Sequence, residues 1–443
     1  MFRFTIVSEP RISFYLGEDW NPRRIVRHKP FTYAALKDKE IVLKVLTDAG
    51  TEKLATKMVN KLIDGYKGNY FYPRFSETYG MQISFDQKND VVHIDEGNAL
   101  SRFEGVADSI AEAGSPGIIV VATDGGLPSR IYRSCKLKVI TKYSGKNVRT
   151  QFVKRQTIDN LINIGGFEFF LINIATAVYA KAGGIPWKLS RSLIETRGLI
   201  LGISFARKRE ESGDETIYYG AVELLDRYGE HLYTRMKVFR GPKGKVKTKG
   251  LYVPYDSMVE LLDGAIKRYG RPPLIVVHKS SPFVEDEEIK AINYVREKYS
   301  DESFQISLIA IYIKRDTIYR LFDTDSKDYS PVRGYLLVDE GKLPHKRMIL
   351  FTTGRLPGED SRRRLGTPKP LELNVAVDTI GRVKPEWLAA QVLGLTKLDW
   401  NTTEPDIRTP ITIKYSNKAA RLAQHILAEE APDLHIGDIR DLM

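Results

Sequence analysis

An α/β fold in two lobes is predicted for this chain, and three observations predict it. Up to Trp187, apolar strand-like runs alternate with segments of helical spacing, the pattern of a parallel layer with ligands at its strand carboxyl ends. Beyond Trp187, several strand-like runs follow one another before helices intervene, which suits a second, mixed layer. The length, 443 residues with 42% hydrophobic and 28% charged, suffices for two to three domains with proper cores.

In chain order, FRFTIV and RISFYL read as short strands ahead of the basic RRIVRHK. Residues 40–46 (EIVLKVL) are a strand. Residues 51–66 form a helix with a polar start and a glycine stop. Residues 117–123 (GIIVVAT) are a continuous apolar run of the buried parallel type. In the second half, 198–206, 218–225 and 232–239 read as three strands. A helix at 257–269, a strand at 273–278, a helix at 284–299 and a strand at 304–313 follow. This order suits an RNase H-like fold. Strand-like runs at 348–354 and 373–378 and a helix at 385–398 complete it.

Lys and Arg exceed Asp and Glu by 68 to 56, a net charge of +12 that favours polyanion partners, while anionic membrane surfaces and simple solubility fit it too. The single cysteine, Cys135, excludes an intramolecular disulfide and a cysteine-cluster zinc site. Seven scattered histidines show no metal-ligand spacing, and no P-loop, GxGxxG or HExxH occurs. No apolar run reaches membrane-spanning length and the N-terminus lacks a signal-peptide layout, so a cytoplasmic protein is expected.

The stretch 132–181 gathers the chemistry. Tyr132 and Lys136, four apart, share one face if helical. Gln151 lies in NVRTQFV, which reads as a strand edge, and Lys181 precedes the helix stop Gly183-Gly184-Ile185-Pro186. Taken alone, a Tyr and a Lys at this spacing also describe a solvated helix face. Together, a ring, two ammonium groups and an amide suit a terminal phosphate with a base stacked above it. Each charge-assisted bond to such a phosphate is worth about 1.5–3 kcal/mol.

The order Tyr-x3-Lys, then Gln within R-T-Q-F-V, then Lys-Ala-Gly-Gly resembles the 5′-phosphate pocket in the MID domain of Argonaute proteins. The run LGLTKLDWN, a spacer and then PITI resembles the Piwi domain. The resemblance is to a short prokaryotic Argonaute with MID and PIWI domains only, leaving no room for N and PAZ domains. It implies N-terminal strands at 1–38 packing on the PIWI lobe, a Rossmann-like MID domain at 39–188 and an RNase H-like PIWI domain at 189–443. It implies that Tyr132 stacks on the first guide base while Lys136, Gln151 and Lys181 hold its phosphate. One departure is Ala177, where many members carry a polar or basic residue. A magnesium ion bridging the phosphate to the Met443 carboxylate, beside Gln151, is implied as well.

In active Piwi domains, acidic side chains hold two divalent ions about 3.5–4 Å apart. Here the corresponding places hold Ser204, Ser280 and Asn417, and Lys279 beside Ser280 would repel a cation. The glutamate of the mobile loop has no identified counterpart. The expectation is a chain that binds a guide RNA or DNA and its complementary target without cutting. Host defence would then run through a separate effector, or with a partner supplying N- or PAZ-like domains. The alternative is a guide-directed endonuclease with rearranged ligands. Glu210, Glu211, Asp214 and the acidic run 285–288 are available for that, but read as solvated loop and helix-start charges.

Lys243, Lys245, Lys247 and Lys249 alternate, so an extended segment would project all four to one side. They read as contacts to a nucleic-acid backbone or, equally, as a solvated hairpin. Arg362–Arg364 and Arg23, Arg24 and Arg27 make further clusters of sequence-independent, salt-sensitive character.

Overall fold

The computed structural model describes residues 2–66, 72–124, 129–207, 215–242, 244–246, 250–341, 347–356, 358–360, 367–381, 383–426 and 433–443. The chain packs as two compact units, each discontinuous in sequence. One comprises Ile12–Lys188, Asp399–Glu404 and Arg440–Met443; the other comprises Met1–Arg11, Leu189–Leu398 and Pro405–Ile439. The boundary expected at residue 38 thus falls after Arg11. The reason is β1 (Phe2–Ile6), which pairs antiparallel with strand Tyr335–Asp339 of the second unit, whereas Ile12 onward folds with the first.

The first unit is a five-stranded parallel sheet with helices between its strands. In chain order it runs β2 (Glu40–Thr47), α1 (Glu52–Asp64), β3 (Gln82–Ser84), β4 (Val91–His93), α2 (Ala99–Ala113) and β5 (Gly117–Thr123). It continues through α3 (Ser129–Ile140), β6 (Val148–Lys154), α4 (Arg155–Ile164) and α5 (Phe167–Lys181). The order across the sheet is β3-β2-β5-β6, with β4 also on β2, and every pairing is parallel. All seven residues of β5 are buried, as its unbroken apolar run requires. Strand β6 is the sheet edge. Helix α5 is buried from Ile174 to Lys181 and stops where the glycines begin. Gly183 takes φ 102°, and the amides of Gly183 and Gly184 close onto Ala180 and Tyr179 carbonyls, both at 3.0 Å.

The second unit is built on a ten-stranded mixed sheet. Its strands and helices are β7 (Gly198–Arg207), β8 (Glu215–Asp226), β9 (His231–Pro242), α6 (Tyr255–Tyr269), β10 (Leu274–Lys279), α7 (Lys290–Tyr299) and β11 (Ser307–Lys314). Then come β12 (Tyr335–Asp339), β13 (Arg347–Leu350), β14 (Leu371–Asp378), α8 (Pro385–Leu395), α9 (Ile411–Ile426) and β15 (Asp433–Ile436). The order is β1-β12-β13-β14-β11-β10-β7-β8-β9-β15, parallel only where β10 meets β7 and β11. One face packs on α6 and α7 through a core that includes Ile203, Leu262, Val277, Ile292 and Leu308. Helix α9 crosses β7 and β8. Gly202 permits that crossing, because a Cβ there would stand 2.2 Å from the Thr412 carbonyl oxygen. No described helix is long and apolar enough to cross a membrane.

The acidic run 285–288 departs from the expected solvated helix start. It forms a π-helical turn ahead of α7, and Glu288 is wholly buried. Glu288 accepts from the Lys279 ammonium at 2.7 Å and from the Val253 and Val284 amides. Desolvation raises the Glu288 carboxyl and lowers the Lys279 ammonium from their ordinary values, with the mutual attraction opposing both. Truncating one partner leaves the other as a buried unpaired charge. Lys279→Met is therefore expected to destabilise the protein by about 3–5 kcal/mol; an unchanged urea midpoint would show that the pair is not buried as described.

Candidate functional site

Helix α3 sets Tyr132 and Lys136 on one face, one turn apart, as their spacing requires. Phe152 of β6 receives both: the Tyr132 ring lies edge-on to it at 4.6 Å, and the Lys136 ammonium stands 5.8 Å from its centroid. Burial raises the Tyr132 phenol above its ordinary value, so the ring is neutral at working pH. Gln151 points to the other side of β6 by strand alternation. There its Oε1 accepts from the Lys181 ammonium at 2.6 Å, while the Thr150 carbonyl accepts from the same ammonium at 2.8 Å. Lys136 and Lys181 are 2% and 5% exposed, so neither belongs to a solvated face. The four residues thus form two pairs, Tyr132 with Lys136 and Gln151 with Lys181, on either side of one edge strand.

Two residues of this site were missed in the sequence reading. Arg149 lies two places before Gln151, on the same side of β6, and its Nε is 2.9 Å from the Asp441 carboxylate. The Asp441 backbone carbonyl accepts from Lys136 at 3.3 Å. Period-two alternation from Gln151 pointed to Arg149, whereas nothing local pointed to Asp441. Leu442 and Met443 are buried with it, at 1% and 7% exposure. Ala177 is buried within α5.

The basic clusters fare differently. Residues 244–246 form a helical turn, not an extended strand. Lys245 sits between Asp286 at 2.8 Å and Glu287 at 2.6 Å, over the Tyr252 ring, so its charge is committed inside the protein. Lys243, Lys247, Lys249, Arg362–Arg364, Glu210, Glu211 and Asp214 lie outside the described residues. Arg23 is paired with Glu404 and stacked 4.4 Å from the Phe169 ring.

In the second unit, Ser204 is fully buried, with its hydroxyl 2.8 Å from that of Ser416 on α9. The side chain that meets Ser204 is therefore Ser416, and Asn417 is the half-exposed neighbour. The Ser280 amide donates to the Ile203 carbonyl at 3.0 Å. Lys279 does not confront a cation site beside Ser204. Its register with Ile203 puts it on the opposite face, neutralised by Glu288. Glu223 stands on Ser204's own face, two places along, since Ala221 pairs with Ser204 and Glu223 with Gly202. It is fully buried, neither carboxyl oxygen has a hydrogen-bond partner, and desolvation holds it well above the carboxylate range.

No family model matches the chain. A curated argonaute of Cereibacter sphaeroides is 24% identical over 432 residues, covering 90% of this chain and 52% of that protein. A second, from Aquifex aeolicus, is 25% identical over 280 residues, covering 62% of this chain and 34% of that protein. The chain is a homologue of the prokaryotic Argonautes. It spans about half the length, 52%, of the first of these relatives. Among solved structures it is similar to Clostridium butyricum Argonaute bound to a guide DNA and a 19-mer target DNA, with a TM-score of 0.69 at 17% identity over 98% of this chain and 54% of that one. Drosophila Piwi gives a TM-score of 0.64 at 15% identity over 99% of this chain and 56% of that one. The expected α/β fold class of an Argonaute is borne out.

The Argonaute resemblance implied magnesium bridging the guide 5′ phosphate and the Met443 carboxylate beside Gln151, an ion that would take its oxygens from the phosphate as well as from the protein. The Gln151 oxygen is held by Lys181, and Lys136 adds a second ammonium across β6.

His278, beside Lys279 on β10, is fully buried between Gln391 at 3.0 Å and Thr412 at 3.1 Å. Burial pushes its imidazole down to about 4, so it is neutral at working pH. The folded value is depressed, so its contribution is present above pH ~6.5 and is lost as pH falls toward ~4, on the order of 3 kcal/mol in all. His278→Gln is expected to flatten the fall in unfolding free energy across that window. Parallel acid limbs for the two proteins would show that His278 is not the group responsible.

Proposed function

We propose that the chain binds a short guide strand by its 5′ phosphate and uses it to recognise a complementary target without cutting it. One observation supports this most. Lys136 and Lys181 are drawn out of water on the two sides of β6, with Gln151 against one and a neutral Tyr132 ring one turn from the other. A phosphate monoester there would be met by charge-assisted bonds from ammonium groups whose positions the protein's own oxygens already fix. Tyr132 then supplies the ring on which the first base stacks. Magnesium belongs to this proposal as the phosphate's counter-ion at Met443, not as a resident group.

The absence of cutting follows from hydroxyl-bearing Ser204 and Ser280 and the amide of Asn417, since neutral side chains do not concentrate two divalent ions. Argonaute structures that carry guide and target DNA support the nucleic-acid class of partner. A role in prokaryotic defence, in the cytoplasm and through a separate effector, completes the proposal. A guide-directed endonuclease is the second reading. Glu223, a buried carboxyl without a hydrogen-bond partner on Ser204's face, is what favours it.

Two measurements check this. Binding of a short oligonucleotide with a 5′ phosphate should exceed binding of its 5′-hydroxyl form. Lys136→Ala and Lys181→Ala should each reduce that preference by ~10- to 150-fold, the worth of one charge-assisted bond. With a matched target and Mg²⁺ or Mn²⁺, the guide-loaded protein should leave the target intact. A product cut at one defined mid-target position would falsify the non-cutting half and leave the anchoring half standing.

A further inference from the structure

Asp441 makes two contacts with opposite logic. Its carboxylate takes the Arg149 guanidinium at 2.9 Å, with both side chains almost wholly buried, at 7% and 3% exposure. Its backbone carbonyl takes the Lys136 ammonium at 3.3 Å. Arg149 is itself fixed, donating to the Val148 carbonyl at 3.0 Å, and it shares a side of β6 with Gln151. Segment 440–443 therefore joins a residue from one side of the edge strand to a residue from the other. The buried Leu442 and Met443 hold it there.

Resting on the guide-end reading above, we propose that Arg149 and Asp441 form a clamp that seats Lys136 for the 5′ phosphate. Asp441 is a positioning residue: it touches no phosphate, and it acts by bringing a carbonyl oxygen to the ammonium. The carbonyl fixes one of the three ammonium donors and so fixes the direction of the other two. Without the Arg149–Asp441 ion pair, the segment loses the buried charge attraction that sets its register. Lys136 then regains the rotamer freedom of a long side chain, and the phosphate contact weakens.

This differs from what local charge alone would do. Asp441→Asn removes a negative charge beside an anion site, so electrostatics alone would tighten binding of a phosphorylated strand. A clamp predicts the opposite sign.

The test uses the full chain and one short oligonucleotide, with and without a 5′ phosphate, by fluorescence anisotropy. Asp441→Asn is expected to lower the phosphate preference ~10-fold, equivalent to about 1.4 kcal/mol. The charge swap Arg149→Asp with Asp441→Arg is expected to recover most of it. A preference in Asp441→Asn equal to or above that of the unsubstituted protein overturns the clamp while leaving the guide-end reading intact. If the unsubstituted protein shows no phosphate preference, it is the guide-end reading that fails. Amide hydrogen exchange over 440–443 then decides the clamp: faster exchange in Asp441→Asn, reversed by the swap, upholds the seating, and equal exchange overturns it.

Discussion

Taking Lys136, Arg149 and Lys181 out of water along one strand is the constraint on which the first unit depends. The desolvation of each ion costs several kcal/mol and is offset only where oxygens stand close to it. The fold supplies those oxygens from backbone and side chain alike: the Thr150 and Asp441 carbonyls, the Gln151 amide and the Asp441 carboxylate. Local devices place the charges. Helix α5 ends at Lys181 because Gly183 takes a left-handed conformation, and Gly184 follows where a Cβ would strike the Tyr179 ring at 2.2 Å.

The second unit meets the same difficulty by a different route, closing its buried charges into pairs and networks. Glu9 receives the Arg333 guanidinium at 2.9 Å on both oxygens and also the Lys397 ammonium. Lys397 further donates to the Pro405 carbonyl at 2.9 Å, and burial pushes its ammonium down to about 8. The lysine of the L-T-K-L run is thus a fastening for the N-terminal segment and not a surface contact.

Much of this was legible in the sequence because the signals were local. The helix carrying Tyr132 and Lys136, the parallel β5 and the glycine stop after Lys181 each follow from spacing or from one residue's conformational preference. What was not legible depends on distant partners. Glu288 reads as one of four solvated acids by sequence, but the turn of chain between β10 and α7 brings it against Lys279, nine residues earlier, in the core. Lys245 looked like one of an alternating row, but Asp286 and Glu287 draw it into a helical turn. The PITI run points to Asn417 as the counterpart of Ser204, whereas the pitch of α9 turns Ser416 toward it. Asp441 reaches Arg149 across nearly three hundred residues, and no window on the sequence spans that.

Each unit is assembled from three separated stretches of chain. A graft that moves residues 39–188 alone into another scaffold therefore carries Arg149 away and leaves its counter-charge behind. Modular exchange in this protein calls for a split donor, in which the last four residues travel with the strand they are anchored to.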